Sequence, residues 1–291
     1  PDYIWDGGTG NWTDTYAANT RGFTPANPTV DDNLYFTGAG GTVTNNMANS
    51  TISSVNFITF NSTAGAYTLN ATTGAAGVAG GTALTVKGDI INNSANATGQ
   101  TIAMDLAFGT SSTGTINTAA GNITISGNIS GTGGLIKEGN RTLTLTGAKS
   151  YTGGTTINNG TISVTAGAIS SNVTINSGAT LSFGNHNMLT AGGNMTINSG
   201  TLNLNQWAQG SGPSVANFNS ATITGTSGYL RGVSTYNFTG NTTWGAGSMD
   251  LLTAPTLNVI SGTTTLATSF NISNGNGNIT KNGNGTLVLS A

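Results

Sequence analysis

The sequence predicts an all-β chain wound as a β-solenoid, and three observations predict it. A segment returns at a fixed distance: "NVTINSGAT" at 172–180 recurs as "NMTINSGTL" at 194–202, an offset of 22. Apolar and polar residues alternate with period two, and Asn-Gly, Ser-Gly or Gly-Gly pairs close the runs, which is the pattern of half-buried strands ended by tight turns. No segment carries an apolar stripe of helical period and length.

Composition narrows the functions open to such a chain. Charged residues are 5% of the 291, and the net charge is −2, so nucleic-acid phosphates have no basic face to meet. The 45 glycines follow no three-residue period, which excludes collagen. No apolar run reaches the length of a membrane span. Cysteine is absent and histidine occurs once, so disulfides and thiolate metal sites are excluded. A first residue Pro1 in place of Met suggests a trimmed mature segment.

Taken in order, the chain opens on residues 1–40, rich in aromatics (Tyr3, Trp5, Trp12, Tyr16, Phe23, Tyr35, Phe36) and containing Pro1, Pro25 and Pro28. Solenoid ends expose an apolar cross-section and unpaired edges, so this stretch is expected to be an aromatic N-terminal cap, with the solenoid running over 41–291. Within it, Leu143 and Leu145 alternate with Thr142, Thr144 and Thr146, placing leucines inward and threonines outward. Short echoes, "NITIS" at 122–126 and "TINNGTISV" at 156–164, precede the 22-residue pair. One such rung cannot fold alone. Burying four to six aliphatic side chains at ~1.5–3 kcal/mol each does not offset ordering some 22 backbones at ~1–2 kcal/mol each. Stacking must supply the rest, and Thr and Asn suit outward positions because like residues pair along the stack.

A longer echo is more specific. "GGLIKEGNRTLTLTG" at 133–147 aligns with "GNITKNGNGTLVLSA" at 277–291, placing Lys137 with Lys281 and Gly139 with Gly283. The stretch 133–164 resembles the autotransporter-associated β-strand repeat, also called the passenger-associated transport repeat. Leu135, Lys137, Gly139, Leu143, Leu145, Tyr151, Gly153, Gly154 and Ile157 match its pattern. Arg141 stands where glycine is usual, Lys149 where asparagine is usual, and the second copy stops before its Tyr-Thr-Gly-Gly half. The resemblance implies a right-handed parallel β-helix, extracellular or at a bacterial cell surface, and carries over no catalytic residue.

The residues able to do chemistry are few. His186 has no cysteine, carboxylate or second histidine near it in sequence, which favours a surface corner over a ligand or base. Asp31–Asp32 is the only adjacent acidic pair, with Asp2, Asp6 and Asp14 in the same region; a Ca²⁺ site there is an alternative to turn capping by aspartate. Asp89, Asp105, Glu138 and Asp250 are too scattered for a glycosidase pair. The glycine-rich stretches at 74–81 and 275–285 lack the ending of a phosphate loop. Tyr229, Arg231, Tyr236 and Trp244 form a possible lateral binding patch, weighed against core packing at a widened rung. No catalytic, metal-binding or cofactor-binding residue is assigned.

The expected function is an extracellular structural β-solenoid, a passenger, stalk or fibre-forming surface protein and not an enzyme. Head-to-tail self-assembly would use Trp5 and Trp12 at one end and Leu287 and Leu289 at the other. Two alternatives stand beside it: an adhesin that binds glycan or protein through its lateral face, and a polysaccharide lyase or hydrolase on the same fold.

Overall fold

Most strands are β-branched, aromatic or threonine-rich runs that end at or just before a glycine, asparagine or serine that can turn. In the computed structural model these runs stack in parallel. The structure describes residues 1–13, 23–24, 27–109, 113–190, 193–209, 212–245, 248–250, 255–266, 270–271 and 280–290. Tyr16, Asp14, Pro25 and the side chains of Phe23 and Asp250 lie outside the described residues. Two compact units make up the chain, Pro1–Gly153 and Gly154–Ala291.

In the first unit, strands Asp2–Gly7, Asp32–Ala39, Ser54–Phe60, Ile90–Asn92, Gly114–Asn117 and Leu135–Glu138 pair successively in parallel. A second sheet stacks Gly41–Asn45, Tyr67–Ala71, Gln100–Ile102, Ile123–Ile125 and Thr142–Leu145 in the same manner. Strand Ser54–Phe60 pairs with both Leu84–Val86 and Ile90–Asn92. The intervening Lys87–Gly88–Asp89 therefore makes a corner that breaks one long side into two.

The aromatic opening supplies strands to this stack. Trp5 pairs with Phe36 across the parallel Asp2–Gly7 and Asp32–Ala39 strands, and Trp5 and Trp12 are fully buried. Along the other edge of Asp2–Gly7 runs Phe23–Thr24, and that pairing is antiparallel. An antiparallel partner occupies the edge hydrogen bonds that a further strand would use.

In the second unit the register is plainest. Strands Thr155–Ile157, Val173–Ile175, Asn194–Asn198, Val215–Asn219, Thr235–Thr239 and Thr256–Val259 pair in sequence, so Ile157, Ile175, Ile197, Phe218, Phe238 and Val259 form one inward column. All six are fully buried. Ile175 lies directly over Ile197, as the 22-residue repeat requires. A second sheet carries Thr161–Val164, Thr180–Phe183, Thr201–Asn203, Thr222–Thr224, Thr242–Trp244 and Thr263–Leu266. Its outward column is Thr161, Thr180, Thr201, Thr222, Thr243 and Thr265. Short strands Ala208–Gln209, Tyr229–Leu230, Ser248–Asp250 and Phe270–Asn271 form a third side.

Asparagines bind the outer face of the first of these sheets. Asn176 Nδ2 donates to Asn158 Oδ1 at 2.7 Å, Asn198 to Asn176 at 3.0 Å, and Asn219 to Asn198 at 2.8 Å. The residue offsets are 18, 22 and 21, so the rungs vary in length while the ladder holds its register. A parallel ladder links Asn217, Asn237, Asn258 and Asn282.

Inward and outward faces make opposite predictions for neighbouring residues. Leu145 is 1% exposed and pairs with Ile125, whereas Thr144 faces outward beside Thr124. Leu145→Asp is expected to cost about 4 kcal/mol or more through an unpaired buried carboxylate. Thr144→Ser should stay within about 0.5 kcal/mol. Urea unfolding of the two variants checks this, and equal midpoints would contradict the assigned faces.

Candidate functional site

The densest group of charged residues sits in "LIKEGNRTLTLTGAK", residues 135–149. Strand alternation places Leu135 and Lys137 on the same, inward side of Leu135–Glu138. A lysine facing an apolar interior is costly unless its ammonium finds acceptors. Lys137 is fully buried, and its Nζ donates to the Glu138 carbonyl at 2.7 Å and the Gly139 carbonyl at 2.6 Å. Gly139 takes a φ of 76°, the left-handed turn that points its carbonyl back at the lysine and that favours glycine.

Lys149 repeats the arrangement one corner later. It is 7% exposed, and its Nζ donates to the Gly147 carbonyl at 2.7 Å. A side chain at Gly147 would come within 2.0 Å of the Gly127 carbonyl, so only glycine lets these two rungs approach. Burial pushes both lysines down to about 8. Lys281, aligned with Lys137 in the second copy, donates to Gly283 O at 2.5 Å. The lysine of the motif therefore closes a turn.

Other corners use neutral groups for the same task. Buried Asn45 donates to the Ala76 carbonyl and accepts from Met47 N. Gln100 accepts from Tyr67 N and donates to the Gly65 carbonyl. Gln209 accepts from Met188 N and donates to the Asn185 carbonyl. These amides gave no motif in the sequence. Their signal was weak, an amide falling on the inward side of a strand.

The carboxylates are engaged in structure. Asp31, at a φ of 67°, takes a 2.6 Å ion pair from Lys87 and a 2.6 Å hydrogen bond from Ser54 Oγ. The hydrogen bond from Lys87, then that from Ser54, holds its carboxyl below the usual carboxylate range. Asp32 is buried, accepts from Thr29 N and Oγ1, and lies 2.7 Å from the Pro1 nitrogen. Asp105 accepts from Gly80 N, Asn128 N and Asn128 Nδ2. Among the described residues no three His, Asp or Glu side chains are placed to hold a metal ion. His186 is exposed, with Nδ1 accepting from Ala208 N at 3.0 Å and its ring edge-on to Trp207.

The lateral aromatic group separates into two parts. Tyr236 and Trp244 are fully buried and pack with Phe218 and Phe238 in the core. Tyr229 and Arg231 are half-buried, the guanidinium 5.0 Å from the ring centroid. At the chain's ends, Trp5 and Trp12 are interior, while Leu287 is half-buried and Leu289 is 56% exposed. Among the described residues no helix is long and apolar enough to cross a membrane.

Fold and site together define a β-solenoid whose corners are locked by buried lysines and amides, a class in which the repeat is itself the structural device. Residues 135–164 and 279–291 match the passenger-associated-transport-repeat family, so the chain carries this repeat twice. The first match contains the turn-closing Lys137 and Lys149, and the second contains Lys281. No curated protein and no solved structure matches the chain. Repeat and fold fit an autotransporter passenger-like surface protein.

The buried lysines set a pH dependence. Below about 8 they are charged in both folded and unfolded chains. Between that value and 10.5 the unfolded lysines hold protons that the folded ones have released, so stability rises with pH across the window. The full shift corresponds to roughly 3 kcal/mol per lysine. Urea midpoints are expected to climb from pH 7 to pH 9.5, and Lys137→Met should flatten that rise. A wild-type midpoint that stays level or falls would refute it.

Proposed function

We propose that this protein is an extracellular, non-enzymatic scaffold: a passenger-type β-solenoid that builds or displays cell surface. The observation that supports the reading best is the use made of the reactive side chains. Lys137, Lys149, Lys281, Asp31, Asp32 and Asp105 are all engaged in turns or rung-to-rung contacts. Clustered carboxylates of the kind a polysaccharide hydrolase needs are not part of that pattern. Antibody labelling of intact cells that make the protein should reach it without permeabilisation. Labelling that appears only after permeabilisation would overturn the surface reading. Pectin and alginate should show no reducing-end release, and turnover abolished by Asp31→Asn would favour the enzyme alternative.

The finer reading is self-assembly. Strand Thr286–Leu289 carries Val288 and Leu289, which are 37% and 56% exposed, and an apolar strand edge is a template for pairing. A second copy meeting this surface would extend into a filament if the contact does not close on itself. Trp5 and Trp12 are interior and Phe23–Thr24 already pairs with the outer edge of Asp2–Gly7, so the proposed contact rests on the Thr286–Leu289 edge. Light scattering of wild type against Leu289→Lys tests it: polymers lost in the variant support assembly, and a monomeric wild type at high concentration removes it. A lateral adhesive contact is the second reading, favoured by the half-exposed Arg231–Tyr229 stack.

A further inference from the structure

The outward columns of the second unit behave differently from one another. The asparagine columns are self-satisfied, each Nδ2 donating to the next Oδ1. The threonine column is not. Among the described residues, none of the hydroxyls of Thr161, Thr180, Thr201, Thr222, Thr243 and Thr265 bonds to a protein group.

These threonines form a column along the stack, flanked on the same face by a second, mixed rank of polar side chains. Along the stack they repeat at the strand spacing, about 4.8 Å. Across it, Ser163, Ser182, Asn203 and Thr224 stand two residues further on in the same strands, a separation of about 6.7 Å. Threonine is β-branched, so χ1 is restricted and the hydroxyl and methyl positions are largely preset. Little side-chain entropy remains to be lost on binding. In-register side-chain ladders also favour a sheet with little twist.

The chemistry of the face limits what it can meet. The strands of this sheet contain no charged residue, so an anionic polymer or a lipid headgroup has no counter-charge. Their aromatics, Phe183 and Trp244, point inward, so sugar rings have no stacking platform. What remains is a column of threonine hydroxyls and methyls beside a rank of Ser163, Ser182, Asn203 and Thr224, with both spacings set by the backbone. The prism face of hexagonal ice repeats its oxygen positions at spacings close to both. We propose that the threonine face of the second unit, residues 161–265, binds ice by holding water in positions continuous with the crystal lattice.

The test is partition into slowly grown ice. Purified full chain is frozen onto a cold probe beside a globular control protein, and the ice and liquid fractions are assayed. Wild type is expected in the ice fraction and is expected to keep ice grains small during annealing. Thr201→Lys and Thr222→Lys interrupt the column at exposed or half-exposed positions and should lose both effects. Asn217→Lys, on the other sheet of the same unit, should keep them, and circular dichroism verifies that all three variants are folded. Exclusion of folded wild type from ice overturns the proposal. So does retention of both threonine variants, or retention of wild type on crystalline chitin or cellulose with none in ice. Because the purified chain is used, this outcome is independent of where the protein is displayed.

Discussion

The rest of this structure depends on one constraint: backbone stacked in parallel register leaves its corners without regular partners, and those corners are sealed from inside. Within a strand, each rung's amides and carbonyls are satisfied by the rungs on either side. At a turn the chain leaves that ladder, and a buried carbonyl without a donor costs about 1–3 kcal/mol. Lys137 and Lys149 meet this need with ammonium groups, and Asn45, Gln100 and Gln209 meet it with amides. An amide both donates and accepts, so it can span a corner in two directions. A lysine offers three donors and so serves where several carbonyls converge, as those of Glu138 and Gly139 do.

The same constraint accounts for the composition. A parallel stack places chemically like residues side by side at every outward position, so a charged residue in one rung would face its counterpart in the next. Asn and Thr avoid that repulsion, and asparagine converts the proximity into a hydrogen bond. Lysine enters as a turn closer or, at Lys87, as the ion-pair partner of a turn aspartate, and aspartate mainly at turns, as Asp31 and Asp105 illustrate. A chain that is 5% charged is thus the expected product of the architecture.

Much of this was legible in the sequence, and the remainder was hidden for identifiable reasons. The recurrence at 172–202 fixed the register that sets Ile175 over Ile197. The alignment of Lys137 with Lys281 marked two positions that close turns alike. Strand parity carried further information: "LIK" puts Lys137 on the side of Leu135, and "YNF" puts Tyr236 on the side of Phe238. By the same parity Leu230 faces inward, with Tyr229 and Arg231 on the opposite side of the strand. Turn-closing amides were not legible, because asparagine and glutamine are common and only three-dimensional closure distinguishes an inward one. Rung length was only partly legible. Successive ladder asparagines are separated by 18, 22 and 21 residues, so a search for one fixed period finds only some of the turns.

That irregularity locates the freedom of the fold. Strand positions cannot gain or lose a residue without exchanging inward and outward faces. A corner can, provided that a side chain or a glycine restores the lost backbone contacts. Lys87–Gly88–Asp89 shows how this works: the inserted corner divides one side in two, yet Lys87 N and Gly88 N still donate to Val55 O and Asn56 O in the rung beside them. Lys87 then reaches Asp31 with its ammonium, tying the corner to a second turn. Variation in this chain is therefore confined to its edges, while the columns between them, buried isoleucine and phenylalanine on one side and threonine or asparagine on the other, are held in register by the strands. A face built in this way repeats at the spacing of the backbone itself, which makes it suited to partners that are themselves periodic.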